Sequence, residues 1–339
     1  MKALKYVLFL LLIAIIGTAI YVAVQPNSYE VTRTRTIKAP ASVIYNNVID
    51  FKNWEAWSPW VEKEPSTVIT LSEQTKGVGG SYSWTDKDGA GTMKTTETVT
   101  NKFIQQDMQF ADFPASDISW NFKSNEDGST DATWTISGKD LSFGFKAFSA
   151  FSGGMEKEIG PDFERGLEKL DSLAVASMKV YSITINGLTN HSGGYYLYNT
   201  ASCKMDELAS KRTEMMHKVR EFVMKNNLTM AGAPFTNYHK WDLENNAVIF
   251  SCCVPTSEKV ITTDSNIITG QLPPFKAVKT TLKGNYKNLK EAWKIANKYI
   301  TDNNLEQIET GPMIETYISD TMNTPNPAHW ITEIYINVK

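Results

Sequence analysis

Apolar residues fall into three regimes along this chain. From Tyr6 to Val24 they run for nineteen residues without a charge. At about 1.5 Å per residue this predicts a helix of roughly 28 Å, close to the hydrocarbon thickness of a bilayer. Lys2 and Lys5 precede the run, and Gln25 to Val31 carries no positive charge. The positive-inside rule then places the N-terminus in the cytoplasm and the remainder outside it. A cleaved signal peptide is the competing reading, with an apolar region of about 7–15 residues and a small-x-small cleavage site. Here the run is longer and ends Tyr21-Val-Ala-Val-Gln-Pro. That pattern favours an uncleaved single-pass anchor, residues 6–24, within a segment 1–27.

In residues 28–178 the pattern changes to alternation. A strand from Tyr29 to Lys38 is followed by a short helix starting at Ala39-Pro-Ala-Ser, and then by Asn53-Trp-Glu-Ala-Trp-Ser-Pro-Trp60. Strand-like pieces such as Ser81-Tyr-Ser-Trp-Thr and Ala132-Thr-Trp-Thr-Ile alternate polar with apolar residues. They are separated by turn signals at Lys76–Gly80, Asp86–Gly89 and Asn125–Gly128, of which the Asp-Gly pairs predict hairpins. The segment closes on a helix from about Gly154 to Met178, where Met155, Ile159, Phe163, Leu167, Leu170 and Ala174 recur at helical spacing. One long helix on a curved antiparallel sheet is an α+β arrangement.

Residues 179–339 contain a duplication. Asn226-Asn-Leu228 recurs as Asn303-Asn-Leu305, and Ala233-Pro-Phe-Thr-Asn-Tyr238 recurs, with a slip of one, as Gly311-Pro-Met-Ile-Glu-Thr-Tyr317. Each copy reads strand, helix, strand, strand. The helix faces carry Leu208, Met215, Met216, Val219, Phe222 and Val223 in one copy and Leu289, Ala292, Trp293, Ala296 and Ile300 in the other. A duplicated unit packs around a pseudo-twofold axis with a groove at the join.

Composition narrows the function. Of the 339 residues, 42% are hydrophobic and 21% charged, which suits ordered domains. Residues 25–178 hold 15 basic and 22 acidic side chains, and residues 179–339 hold 17 and 15; this asymmetry supports a boundary near Met178. The absence of a long basic stretch argues against a nucleic-acid partner. Four scattered histidines lack ligand spacing, so no metal is expected. The signatures G-x-S-x-G, H-E-x-x-H, G-x-x-x-x-G-K and G-x-G-x-x-G after a strand are absent, and no cofactor is implied. In an oxidising compartment Cys203, Cys252 and Cys253 have two readings, buried thiols or a disulfide, and the adjacent pair is poorly disposed to bond to itself.

The opening strand, the Lys38-Ala-Pro-Ala-Ser-Val-Ile-Tyr45 helix start, the Trp-rich stretch and the long final helix resemble the SRPBCC superfamily (START-like, polyketide cyclase/dehydrase type). The resemblance implies a helix-grip fold with an apolar cavity between sheet and helix. Trp54, Trp57, Trp84, Trp120 and Trp134 are candidates to line it, with simple packing favoured for Trp54, Trp57 and Trp60. Gly311-Pro-Met-Ile-Glu-Thr-Tyr317 and Trp330-Ile-Thr-Glu-Ile-Tyr-Ile-Asn-Val338 resemble the GyrI-like small-molecule-binding domain, or AraC-type effector-binding domain. Transcriptional members carry it behind a DNA-binding domain and sense lipophilic, often cationic compounds. No helix-turn-helix candidate precedes it here.

That resemblance makes Glu315 the candidate pocket carboxylate, with Met313 and Tyr317 on its strand face. A carboxylate in an aromatic, partly desolvated groove pairs with a cation that also stacks on rings. Glu333 is the second candidate, as ligand contact or as general base, since some relatives hydrolyse strained electrophiles. Tyr317, Trp330, Tyr238, Trp241 and Phe275 are candidate aromatic walls. The expected molecule is a membrane-anchored binder or sensor of small hydrophobic or cationic compounds. The alternatives are a hydrolase in the second half and a lipid carrier in the first.

Overall fold

The computed structural model describes residues 2–262, 264–319 and 323–339. It forms two compact units, divided in the chain between Ser177 and Met178.

The first unit opens with helix α1 (Lys2–Ala23). Its stretch Leu4–Ala23 is long and apolar enough to cross a membrane, a test that a membrane anchor and a signal sequence both pass. A seven-stranded antiparallel sheet follows, built from β1 (Ser28–Ile37), β2 (Val68–Leu71), β3 (Ser81–Asp86), β4 (Gly89–Val99), β5 (Phe103–Phe110), β6 (Ser116–Ser124) and β7 (Thr130–Lys139). The strand order is β1-β7-β6-β5-β4-β3-β2. Both Asp-Gly turns form hairpins. In the first, the Asp86 carboxylate accepts from the backbone N–H groups of Asp88 and Gly89. Helices α2 (Ala41–Val48), α3 (Pro59–Lys63), α4 (Phe143–Ser152) and α5 (Met155–Ser177) complete the unit.

Helix α5 lies on the sheet because Gly166 lets it. A Cβ at Gly166 would stand 2.8 Å from the Trp134 ring. Phe163 stacks on Trp134 at 3.9 Å between centroids, and Trp120 stacks on its other side at 4.4 Å. Trp54, Trp57 and Trp60 pack against the same indole edge-on, while Trp84 stacks with Phe110 nearer the open edge. These rings gather around Trp134 in the region between sheet and helix where the family resemblance implies an apolar cavity. Five groups within it have no hydrogen-bond partner: the indole N–H of Trp57, Trp120 and Trp134, the Thr95 hydroxyl and the Gln106 amide.

The second unit is an eight-stranded antiparallel sheet of β8 (Ser182–His191), β9 (Gly194–Lys204), β10 (Phe235–Asp242), β11 (Ala247–Thr256), β12 (Ile268–Leu272), β13 (Phe275–Lys283), β14 (Met313–Tyr317) and β15 (Ile331–Asn337), with helices α6 (Leu208–Lys225) and α7 (Leu289–Asp302). The order β12-β9-β11-β10-β14-β15-β13-β8 reads the same in pattern from either end, with the join between β10 and β14. Each copy is longer by one strand than the sequence predicts. The leading strands are exchanged: β8 pairs with β13 of the second copy, and β12 with β9 of the first.

Register fixes the faces. Cross-strand partners share a face, so Thr280, Ile334, Glu315, Thr236 and Cys252 form one row across the sheet. At one end of this face Ile334 packs with α7 residues Leu289, Ala292 and Ala296. At the other, Cys252 packs with α6 residues Met215 and Met216. Both helices therefore cover one side. Lys279, Tyr335, Ile314 and Asn237 form the next row and face away from them. Cys252 and Cys253 alternate likewise, and all three cysteines are free thiols; burial pushes the Cys252 thiol up to about 12.

Candidate functional site

The predicted residues separate into two groups on opposite faces of one sheet. On the helix side, strand β14 presents Glu315 at the join of the two copies. Its carboxylate accepts from the Arg212 guanidinium at 2.8 Å, the Tyr238 and Tyr317 hydroxyls at 2.9 Å each, and the Trp293 indole N–H at 2.6 Å. The Arg212 carbon also lies 5.4 Å from the Tyr317 ring centroid and 5.8 Å from that of Tyr286, a cation–π arrangement. Tyr286 in turn packs on Trp330 at 4.7 Å, and Trp241 packs on Tyr238.

Glu315 is sealed in this network. Its side chain is 3% exposed and that of Arg212 14%. Burial works against the Arg212 charge, but the Tyr317 and Glu315 side chains outweigh it and raise its pKa. The Tyr238 and Tyr317 hydroxyls are pushed well up, by burial first and by the Glu315 charge second. Glu315, Tyr317, Tyr238 and Trp330 thus lie in one connected cluster through Tyr286, and the cation that faces the carboxylate is the protein's own. Arg212 was legible as a charge inside an apolar helix stripe, four residues after Leu208 and four before Met216.

Glu333 and Phe275 lie on the other side. Lys279 places its ammonium 2.7 Å from one Glu333 oxygen, and the Tyr335 hydroxyl donates to the other at 2.6 Å. Lys279 also sits 5.6 Å from the Tyr335 ring centroid. His191 stacks on Phe275 at 4.8 Å and meets Tyr335 edge-on at 5.0 Å. Its Nδ1 accepts from the Gly193 backbone N–H. Burial lowers the His191 pKa, with the Glu333 charge opposing, while burial and the bond to Glu333 raise Tyr335.

Tyr196, Tyr198, Phe275 and Tyr335 pack around buried Phe235, Cys253 and Ile314. In the Tyr335–Ile314 row, buried Asn237 keeps a side-chain oxygen without a partner. The Glu333 and Lys279 side chains are 20% and 25% exposed, so this carboxylate reaches solvent where Glu315 does not. Lys279 and His191 were not predicted as site residues. The signal for Lys279 was its place two and four residues after Ala277 and Phe275, on the same strand face. Among the described residues no group of three or more His, Cys, Asp or Glu is arranged to hold a metal.

Comparison with known proteins adds the domain families. Residues 28–175 match the family described as polyketide cyclase / dehydrase and lipid transport, and residues 175–339 match the GyrI-like small molecule binding domain. No curated protein matches the chain at significant similarity. Among solved structures, the EcmrR C-terminal domain is 21% identical, covers 47% of this chain and 98% of its own, and superposes with a TM-score of 0.40. EcmrR in a DNA complex is 20% identical over 52% of this chain and 71% of its own, with a TM-score of 0.41. Protein Ms6760 from Mycobacterium smegmatis is 22% identical over 43% and 91%, with a TM-score of 0.33. The chain is therefore a polyketide cyclase/SRPBCC domain followed by a GyrI-like small-molecule-binding domain.

Proposed function

We propose that this protein is a membrane-anchored binder or sensor whose ligand, a lipophilic cation, docks on the helix-free face of the GyrI-like sheet against Glu333. The observation that carries this reading is the part-exposed Glu333–Lys279 pair set beside the rings of Tyr335, His191 and Phe275. A solvent-exposed ion pair contributes only about 0–1 kcal/mol. This pair keeps part of that contact with water where Arg212–Glu315 does not, so a ligand cation takes the place of the lysine at a smaller cost than at Glu315. Flat apolar parts of that ligand then stack on the rings. At Glu315 the same exchange would strip a buried guanidinium of its partner, at a cost of about 3–5 kcal/mol. Glu315 is accordingly the clamp that joins the two copies, and the sequence-based choice of it as ligand carboxylate passes to Glu333. Helix α1 serves as the anchor.

The test is a thermal-shift panel on the full chain in lipid nanodiscs, with tetraphenylphosphonium, a neutral lipophile and an anionic amphiphile. A ligand at about 100 times its dissociation constant stabilises by ~2.7 kcal/mol. The cation stabilises the parent and fails to stabilise Glu333→Gln. Stabilisation that survives Glu333→Gln removes this reading.

A second reading concerns the first unit. The Gln106 amide and Thr95 hydroxyl, cross-strand neighbours on the inner face, are fully buried and unpartnered. An uncompensated buried amide or hydroxyl costs roughly 2–7 kcal/mol. A lipid whose polar head reaches this pair supplies the missing bonds, in keeping with the lipid-transport family. Lipid co-purifying with the parent and lost from Gln106→Leu is the expected result; lipid retained at parent levels counts against it.

A further inference from the structure

Helix α4 was not foreseen in the sequence and takes no part in either site. It is capped at its start by the Ser142 hydroxyl and ended by left-handed Gly153. Four of its ten residues are phenylalanine, and Lys146 is its single charge. Phe145 holds it to the domain, stacking on Tyr29 at 5.5 Å and meeting Phe113 edge-on at 5.4 Å. The other three phenylalanines are exposed: Phe143 by 55%, Phe148 by 50% and Phe151 by 67%.

These rings are continuous with the apolar surface of α1. A groove of about 450 Å³ between the two helices is lined by Leu11, Ile15, Val22, Phe143, Ala147 and Phe151, among others. The rings of Tyr21 and Phe151 lie 6.4 Å apart. The groove reaches Leu11, near the midpoint of Leu4–Ala23, so α4 runs beside the half of α1 that leads into the folded domain. If α1 crosses a bilayer, that half occupies one leaflet, and a helix packed along it shares the leaflet's acyl chains. An exposed aromatic cluster is costly in water and favourable in lipid. Lys146 is half-buried, and its long stem lets the ammonium reach the headgroups.

We propose that α4 is embedded in the same leaflet as the C-terminal half of α1, with Phe148 and Phe151 against lipid acyl chains. The helix-grip domain is then held to the bilayer by two helices and cannot swing freely on one. This placement rests on the anchor reading of α1.

The test uses the full chain in phosphatidylethanolamine/phosphatidylglycerol vesicles. Cys203→Ser removes the part-exposed thiol, and the buried Cys252 and Cys253 stay unreactive. Nitroxide is attached in turn at Phe148→Cys, Phe151→Cys, Leu10→Cys in the anchor and Val99→Cys at the far end of the sheet. Collision with oxygen against a water-soluble nickel chelate then reads depth. Labels at 148 and 151 collide with oxygen over nickel, as the label at 10 does, and the label at 99 shows the reverse. Nickel access at 148 and 151 equal to that at 99, with the label at 10 still in lipid, overturns the placement of α4 alone. Low access to both reagents means that protein, such as a second copy, covers the helix, and also overturns it. Nickel access at 10, or loss of that label from the mature chain, overturns the anchor reading first.

Discussion

Glu315 and Glu333 sit on neighbouring strands one residue out of step: Glu315 pairs with Ile334, and Glu333 with Thr316. That single step puts them on opposite faces, because strand side chains alternate. On the helix side Glu315 gains four donors and loses solvent. On the helix-free side Glu333 gains Lys279 and Tyr335 and stays part-exposed beside rings. Both carboxylates carry an internal cation, so charge does not distinguish them. What separates a clamp from a docking point here is how dearly each cation would be given up.

Breaking the sealed pair has the largest expected effect. Glu315→Gln leaves the Arg212 charge without its buried partner and destabilises the second unit by about 3–5 kcal/mol. At roughly 2–4 °C per kcal/mol for a domain of this size, this is a drop on the order of 10 °C, read by calorimetry. Arg212→Met costs a similar amount, and the double variant Arg212→Met/Glu315→Gln loses less than the two single losses together, by about 0.5–3 kcal/mol. Strict additivity would mean the two side chains do not act as a pair.

The open pair behaves differently. Glu333→Gln and Lys279→Met each change stability by no more than about 1 kcal/mol in the same calorimetric experiment, while ligand affinity responds strongly. A loss matching that of Glu315→Gln would erase the distinction between the two carboxylates.

The smallest effect is on pH dependence. Burial holds the folded-state pKa of His191 below its ordinary 6.5, so the unfolded chain binds the proton more readily. Stability is therefore full above about 6.5 and falls as pH drops from there through the folded pKa. Stability curves for the parent and His191→Phe, measured by urea unfolding between pH 7.5 and 5, show a shallower slope in the variant. His239, also lowered by burial, accounts for part of what remains. An unchanged slope would show that His191 titrates as in water.

Much of this architecture could be read from the chain because it is encoded locally. The apolar run of α1, the Asp-Gly hairpins and the spaced residues of α5 each depend on neighbours in sequence. The exchange of β8 and β12 between copies depends on long-range pairing, which alternation alone does not specify. Helix α4 escaped because Phe143, Phe145, Phe148 and Phe151 follow neither a two-residue nor a helical period throughout, and because its rings face outward rather than toward a core. At the sites, face assignments along β14 and β15 follow from alternation. The partners Arg212 and Lys279 come from distant elements, and only the fold brings them to their carboxylates.

The most direct test of the ligand face is a calorimetric titration of tetraphenylphosphonium into the nanodisc-embedded chain, with empty discs as blank. Lys279→Met removes the internal competitor for Glu333 while leaving the carboxylate and rings in place. The variant is predicted to bind the cation more tightly than the parent, by up to about fivefold, a gain of no more than about 1 kcal/mol. Equal or weaker binding by Lys279→Met would contradict the exchange of lysine for ligand at Glu333.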